Sequence, residues 1–170
     1  MPEPTLRGEL EHWNRLFDRW LIAAGSHRPF RFTANAAPAW TSPAKPLAAC
    51  RVALVSTAGV HRADQPAFAI TAEAGDWSLR VIPDETPVST LRVSHAHYNT
   101  DATNRDVNAV FPLDALHVLA RERLVGRCAP RHYGLMGYVP DPTPLLDATG
   151  PDLVRRLRED GADVALFTPG

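Results

Sequence analysis

Cysteine is scarce: Cys50 and Cys128 lie far apart and form no C-x-x-C pair, which argues against a disulfide framework or a thiolate zinc site. No apolar run approaches the roughly 20 residues that span a bilayer, so no membrane anchoring is expected. The opening residues, Met1 to Leu10, lack the basic region and apolar stretch of a signal peptide, and a cytoplasmic location is expected. Charge of one sign is also missing. A net charge of −1 gives no electrostatic reason to expect nucleic acid or an anionic membrane as partner. Gly59 belongs to no G-x-G-x-x-G fingerprint, no G-x-x-x-x-G-K-[ST] run exists, and no serine sits in a G-x-S-x-G elbow. Dinucleotide binding, P-loop chemistry and a hydrolase triad are therefore disfavoured. Lys45 is the one lysine against seventeen arginines, which reads as GC-rich coding bias.

What is present is an ordinary globular composition, 45% hydrophobic and 22% charged, in a chain long enough to bury a core. Leu6, Leu10, Trp13, Phe17, Trp20, Leu21 and Ala24 recur at three-and-four spacing and predict an amphipathic helix ended by Gly25 and Ser26. A proline-rich connector follows, with Trp40 as its expected anchor. Residues 50–57 form a continuous apolar run suited to a parallel strand covered on both faces. Shorter extended segments are expected at 79–82 and 91–94, then a polar loop to Asn108, a helix opened by Pro112, and a mixed segment from Arg127 to Tyr138. A last helix over 151–160 is stopped by Gly161, and a final strand runs from Asp163 to Phe167. This alternation predicts an α/β fold. The expected form is a layered, Rossmann-like, mostly parallel sheet flanked by helices. Residues 1–49 form a helix and arm, residues 50–170 the α/β domain, and part of the sheet is expected to follow Gly170.

Polar groups collect in the loops after strands, where open α/β sheets bind ligands. His61 is either a general base, its ordinary pKa near 6.5 suiting proton transfer, or a turn cap. His95 and His97, two apart, share a face of extended backbone and with Asp101 or His61 can supply zinc or iron ligands, the hydrolase using His95, His97 and Asp101; alternatively they order the loop. Arg131 and His132 form a further polar cluster beside Gly134 and Gly137. Thr168-Pro169-Gly170 reads as a turn leaving the carboxyl end of a strand.

Five ordered segments carry a resemblance: ALVSTAGVHRADQPAF (53–68), GDWSLRVIP (75–83), SHAHYNTDATNRDVNAVFPLDAL (94–116), PRHYGLMGYVPDPTPLL (130–146) and LREDGADVALFTPG (157–170). The chain resembles the selenoprotein B family of glycine, sarcosine, betaine and D-proline reductases over roughly residues 50–170. The resemblance implies reductive carbon–nitrogen cleavage of an amino acid or derivative, with a dithiol or thioredoxin-like donor. It also implies a selenocysteine or cysteine directly after a Thr-Pro-Gly turn, here just beyond Gly170. The expectation is that UGA has been read as a stop, so that the printed chain lacks reductase activity. No cofactor is expected in the chain itself; a pyruvoyl group, where used, belongs to a partner polypeptide, and a hetero- or homo-oligomer is implied. On this reading His61, His95, His97 and His132 are candidates to protonate the leaving nitrogen or to hold the substrate carboxylate, Arg131 is a candidate carboxylate clamp, and Asp101 and Asn108 are candidates to bind substrate. The rival expectations are the metal-dependent hydrolase and a non-catalytic module docking through its amino-terminal helix.

Overall fold

A computed structural model describes residues 6–23, 25, 41–95, 98 and 100–169. The chain divides into two compact units, Met1–Ser42 and Pro43–Gly170. In the first, α1 (Leu6–Ala23) is the helix its spacing predicts. Its Phe17 and Trp20 rings lie 5.2 Å apart, and Trp13 and Trp20 are exposed. Residues 30–40 of the proline-rich connector, with the expected anchor Trp40, lie outside the described residues. No described helix is long and apolar enough to cross a membrane.

The second unit is the expected α/β fold with a mostly parallel sheet. Its elements are β1 (Arg51–Ser56), β2 (Val60–Arg62), β3 (Arg80–Pro83), β4 (Leu91–Val93), α2 (Asp101–Arg105), α3 (Leu113–Arg121), β5 (Arg127–Cys128), β6 (Arg131–Gly134), α4 (Gly150–Glu159) and β7 (Val164–Thr168). β1 is the central strand. β7 pairs with it in parallel from Val52↔Val164 to Ser56↔Thr168. On its other edge β5 and β6 follow one another, also parallel, and β3 closes that side antiparallel to β6. The segment Leu91–Val93 does not join this sheet; it pairs antiparallel with β2 as a separate ribbon. Inside the predicted polar loop, Asp101–Arg105 forms the short helix α2.

Alternation along β1 builds two cores. Val52 and Leu54 join Val110, Phe111, Leu113 and Leu116 on the α3 side. Val55 faces the other way, with Tyr133, Leu135 and Leu153 on the α4 side. Complete burial of Val52 to Ser56 explains why this strand reads as an unbroken apolar run.

Between Cys128 and Tyr133 the outer chain takes two more residues than the facing stretch of β1 from Val52 to Val55. The bulge falls at Ala129-Pro130, and proline has no N–H to give to a ladder. The His132 ring repairs the gap: the Leu54 N–H donates to His132 Nδ1 at 2.9 Å. With Nδ1 accepting, the ring proton resides on Nε2, which donates to Asp84 Oδ1 at 2.9 Å. Asp84 in turn donates its backbone N–H to the Pro130 carbonyl at 3.0 Å, closing the circuit around the bulge. Burial, above all, pushes the His132 pKa below that of a free histidine, although Asp84 pulls it the other way.

His132→Ala removes the acceptor from a fully buried strand N–H, and urea unfolding should show a loss of at least about 1–3 kcal/mol. His132→Asn places a carbonyl oxygen near the Nδ1 position and should recover part of that loss. Equal stability of the alanine variant and the parent would show that the Leu54 bond contributes nothing.

Candidate functional site at the strand ends

The carboxyl ends of β1, β6 and β7 meet at Ser56, Gly134 and Thr168, and two hydroxyls there converge on one carbonyl. Ser56 Oγ and Thr168 Oγ1 donate to the Val110 carbonyl at 2.9 and 2.6 Å. Thr57 donates its N–H to the Thr168 carbonyl at 3.0 Å, tying the exit from β1 to the end of β7. Both hydroxyl protons are thereby committed, so neither oxygen is set up as a nucleophile. Three hydrogen bonds thus tie the base of the strand-end platform together.

Beyond Ser56 the chain must turn tightly across β6. Gly59 has a φ of +79°, and a Cβ there would stand 2.1 Å from the Ser94 carbonyl oxygen, so no side chain fits. The turn donates the Gly59 N–H to the Leu135 carbonyl at 2.8 Å and accepts from the Ser94 N–H at 3.0 Å. This contact brings β2 and β4 together and sets His61 beside Ser94.

His61 Nε2 lies 2.9 Å from Ser94 Oγ, and His61 Nδ1 lies 2.9 Å from the Arg62 carbonyl oxygen. A carbonyl only accepts, so Nδ1 carries the proton and the Ser94 hydroxyl donates to Nε2. His61 is buried, with Phe68 edge-on at 6.1 Å between ring centroids. The pair has the elements of a proton relay, with an imidazole holding a hydroxyl. It lacks the carboxylate behind Nδ1 that orients the base of a hydrolase triad. Next along the chain, the His95 ring lies 4.7 Å from that of Tyr98, and Tyr98 donates its hydroxyl to the Ala58 carbonyl at 2.9 Å. Burial raises the Tyr98 pKa and keeps it a protonated donor.

The remaining sequence candidates are distributed elsewhere. His97 lies outside the described residues. Asp101 is exposed in the first turn of α2. Asn108 caps local structure: its Oδ1 accepts from the Asp114 N–H at 3.1 Å and its Nδ2 donates to the Asp114 carboxylate at 2.9 Å. Arg131 starts β6, at the opposite end of the strands, where Nε donates to Asp160 Oδ1 at 2.7 Å. That bond is the chief reason its guanidinium pKa is raised. Asp160 also accepts from the buried Tyr133 hydroxyl at 2.5 Å. His132 sits in the bulge described above. The structure thus groups His61 with Ser94 and His95 with Tyr98 near the strand ends, and leaves Arg131 and His132 with the sheet's far end. Sequence reasoning gave no site role to Tyr98, Thr168 or the Val110 carbonyl; Thr168 figured there only as the start of the turn leaving the last strand.

Ser94→Ala leaves the buried His61 Nε2 without its donor. A loss of about 1–3 kcal/mol in denaturant unfolding is expected, and a parent-like midpoint would show that the two side chains are not bonded in solution.

Comparison with known proteins bears on what these strand ends do. The family model described as glycine/sarcosine/betaine reductase selenoprotein B matches residues 32–169. The chain is 40% identical to the D-proline reductase subunit gamma of Acetoanaerobium sticklandii over 133 residues, covering 78% of this chain and 54% of that one. It is 25% identical to the betaine reductase complex component B subunit beta of Peptoclostridium acidaminophilum over 133 residues, covering 75% of this chain and 29% of that one. The chain therefore spans about half the length of the first of these relatives and under a third of the second. No solved structure matches. With four of its five motifs inside the matched region and the fifth inside it to its penultimate residue, the chain belongs to the glycine/sarcosine/betaine reductase selenoprotein B family.

Proposed function

We propose that this chain forms the strand-end scaffold of a cytoplasmic, dithiol-dependent reductase component. It would cleave a carbon–nitrogen bond in an amino acid or N-methylated derivative, using a selenocysteine or cysteine immediately after Gly170. The observation that carries this reading is the position of β7. It lies directly beside the central strand and is pinned at Thr168 to the Val110 carbonyl, so the chain leaving Pro169 emerges where α/β sheets collect their ligands. Membership of the family and the reductase names of its relatives support the reaction class.

A selenolate or thiolate at that point supplies an ionised, polarisable nucleophile. The rest falls to residues of this chain. His61, holding the Ser94 hydroxyl, is assigned to deliver a proton to the departing nitrogen, and His95 beside Tyr98 to line the approach. Arg131 is occupied by Asp160 and is not assigned the substrate carboxylate. Across the whole reaction, two electrons from the dithiol, which closes to a disulfide, replace the carbon–nitrogen bond with one carbon–hydrogen and one nitrogen–hydrogen bond. The relatives are named as a subunit and as a complex component, so the working unit is proposed to be a hetero-oligomer in which any pyruvoyl group lies on a partner.

The coding sequence beyond Gly170 provides the test, with mass spectrometry of the natural product for selenium. An in-frame UGA or a cysteine codon next, followed by open frame, is the expected result. A UAA, a UAG or any other sense codon at that place would overturn the proposal. In the full-length protein, His61→Gln should lower amine release by about 100-fold or more while leaving selenium content unchanged.

A further inference from the structure

Away from the strand ends, three side chains of metal-ligating type meet at the amino ends of the parallel strands. Asp84 follows β3, His117 lies on α3 and Cys128 ends β5. One ligating atom from each lies within 4.8 Å of the others, the one such group of three among the described residues. Nothing in the proposed reductase chemistry uses them.

We propose that Asp84, His117 and Cys128 form a site for a zinc-class divalent cation, with its fourth coordination position open to solvent. One carboxylate, one thiolate and one neutral imidazole are borderline-soft donors that suit zinc, and their two negative charges neutralise a divalent ion. Zinc bonds of about 2.0–2.3 Å in tetrahedral geometry place ligand atoms roughly 3–4 Å apart, so small side-chain adjustments close the site. His117 Nε2 and Asp84 Oδ1, now 2.8 Å apart, would part slightly.

The supports are those of a built site. The ligands come from three different elements, and the Asp84 backbone is fixed by its bond to the Pro130 carbonyl. His132 donates from Nε2 to Asp84 Oδ1 and is itself locked by the Leu54 N–H, an outer hydrogen bond of the kind that orients a ligating carboxylate. Ala120, Arg121, Gly126 and Arg127 join the three side chains around an open cleft of about 610 Å³. The open coordination position faces this cleft, where the two arginines favour water-derived hydroxide or an anionic ligand.

Binding changes two protons. Without an ion, burial and then the neighbouring Asp84 charge push the Cys128 thiol up to about 11, so it is protonated. The cation displaces that proton to solvent, and the His117 proton moves to Nδ1, freeing Nε2 to ligate. The competing explanation is a purely structural network in which Asp84 accepts from His117, His132 and Cys128.

The test uses the full chain, stripped with a chelator, loaded with zinc, dialysed and analysed for metal. One zinc per chain is expected to remain. Cys128→Ser and His117→Ala should each weaken zinc binding by at least about tenfold, the loss that even an outer hydrogen-bond partner brings. The double variant His95→Ala, Asp101→Ala should keep its zinc; loss of zinc there instead would place the metal in the Ser94–Asn108 loop and overturn this assignment. Alkylation of the unmodified protein gives a readout that needs no variant: zinc should slow labelling of Cys128 while the buried Cys50 serves as internal reference. Absence of retained zinc, zinc indifferent to both ligand variants, or Cys128 labelling unchanged by zinc would each leave only the structural network.

Discussion

A single imidazole stands in for a peptide group where the ladder of this sheet is broken. Pro130 removes one donor from the outer strand and the bulge beside it shifts the register, so the central strand would otherwise bury an orphaned N–H at Leu54. A buried amide without a partner is costly enough to undo much of what its neighbours contribute. His132 meets that N–H with one ring nitrogen and passes the constraint to Asp84 with the other. The circuit thereby ties β1, the end of β3 and the bulge between β5 and β6 to one another.

At the other end of the same strands a different device operates. The Val110 carbonyl takes the hydroxyls of Ser56 and Thr168, so a loop carbonyl, rather than a helix, fixes the relative height of β1 and β7. Gly59 then lets the chain fold over β6 and present His61 to Ser94. The two ends of the sheet thus have separate groups of histidines with separate partners. Family membership attaches to the whole α/β unit, and the division of labour between its ends comes from the geometry.

Elements whose signal is local were legible in the amino-acid sequence. The apolar spacing of α1, Pro112 ahead of α3, Gly161 after α4 and the unbroken apolar run of β1 each declare themselves within a dozen residues. What escaped depends on register or on distance along the chain. α2 is five residues long, too short for a helical period to emerge from a polar loop. Leu91–Val93 reads as a strand, but nothing local tells whether it joins the main sheet or a ribbon with β2. His132 looks like any polar residue near a strand end until the bulge at Pro130 is known to turn its ring toward Leu54. His61 and Ser94 are 33 positions apart, and Asp84 is 48 from His132, so no spacing motif could join them. Tight approaches such as Gly59 to Ser94 are likewise invisible without the fold.

Among the described residues β7 is paired on one edge alone, to β1, and its last turn outward leaves Leu166 and Phe167 at 46% and 58% exposure. An unpaired ribbon of backbone groups flanked by greasy side chains is a template for strand-to-strand adhesion between copies. A chain or segment laid against this edge of β7 would cover both the free backbone groups and the two apolar side chains at once.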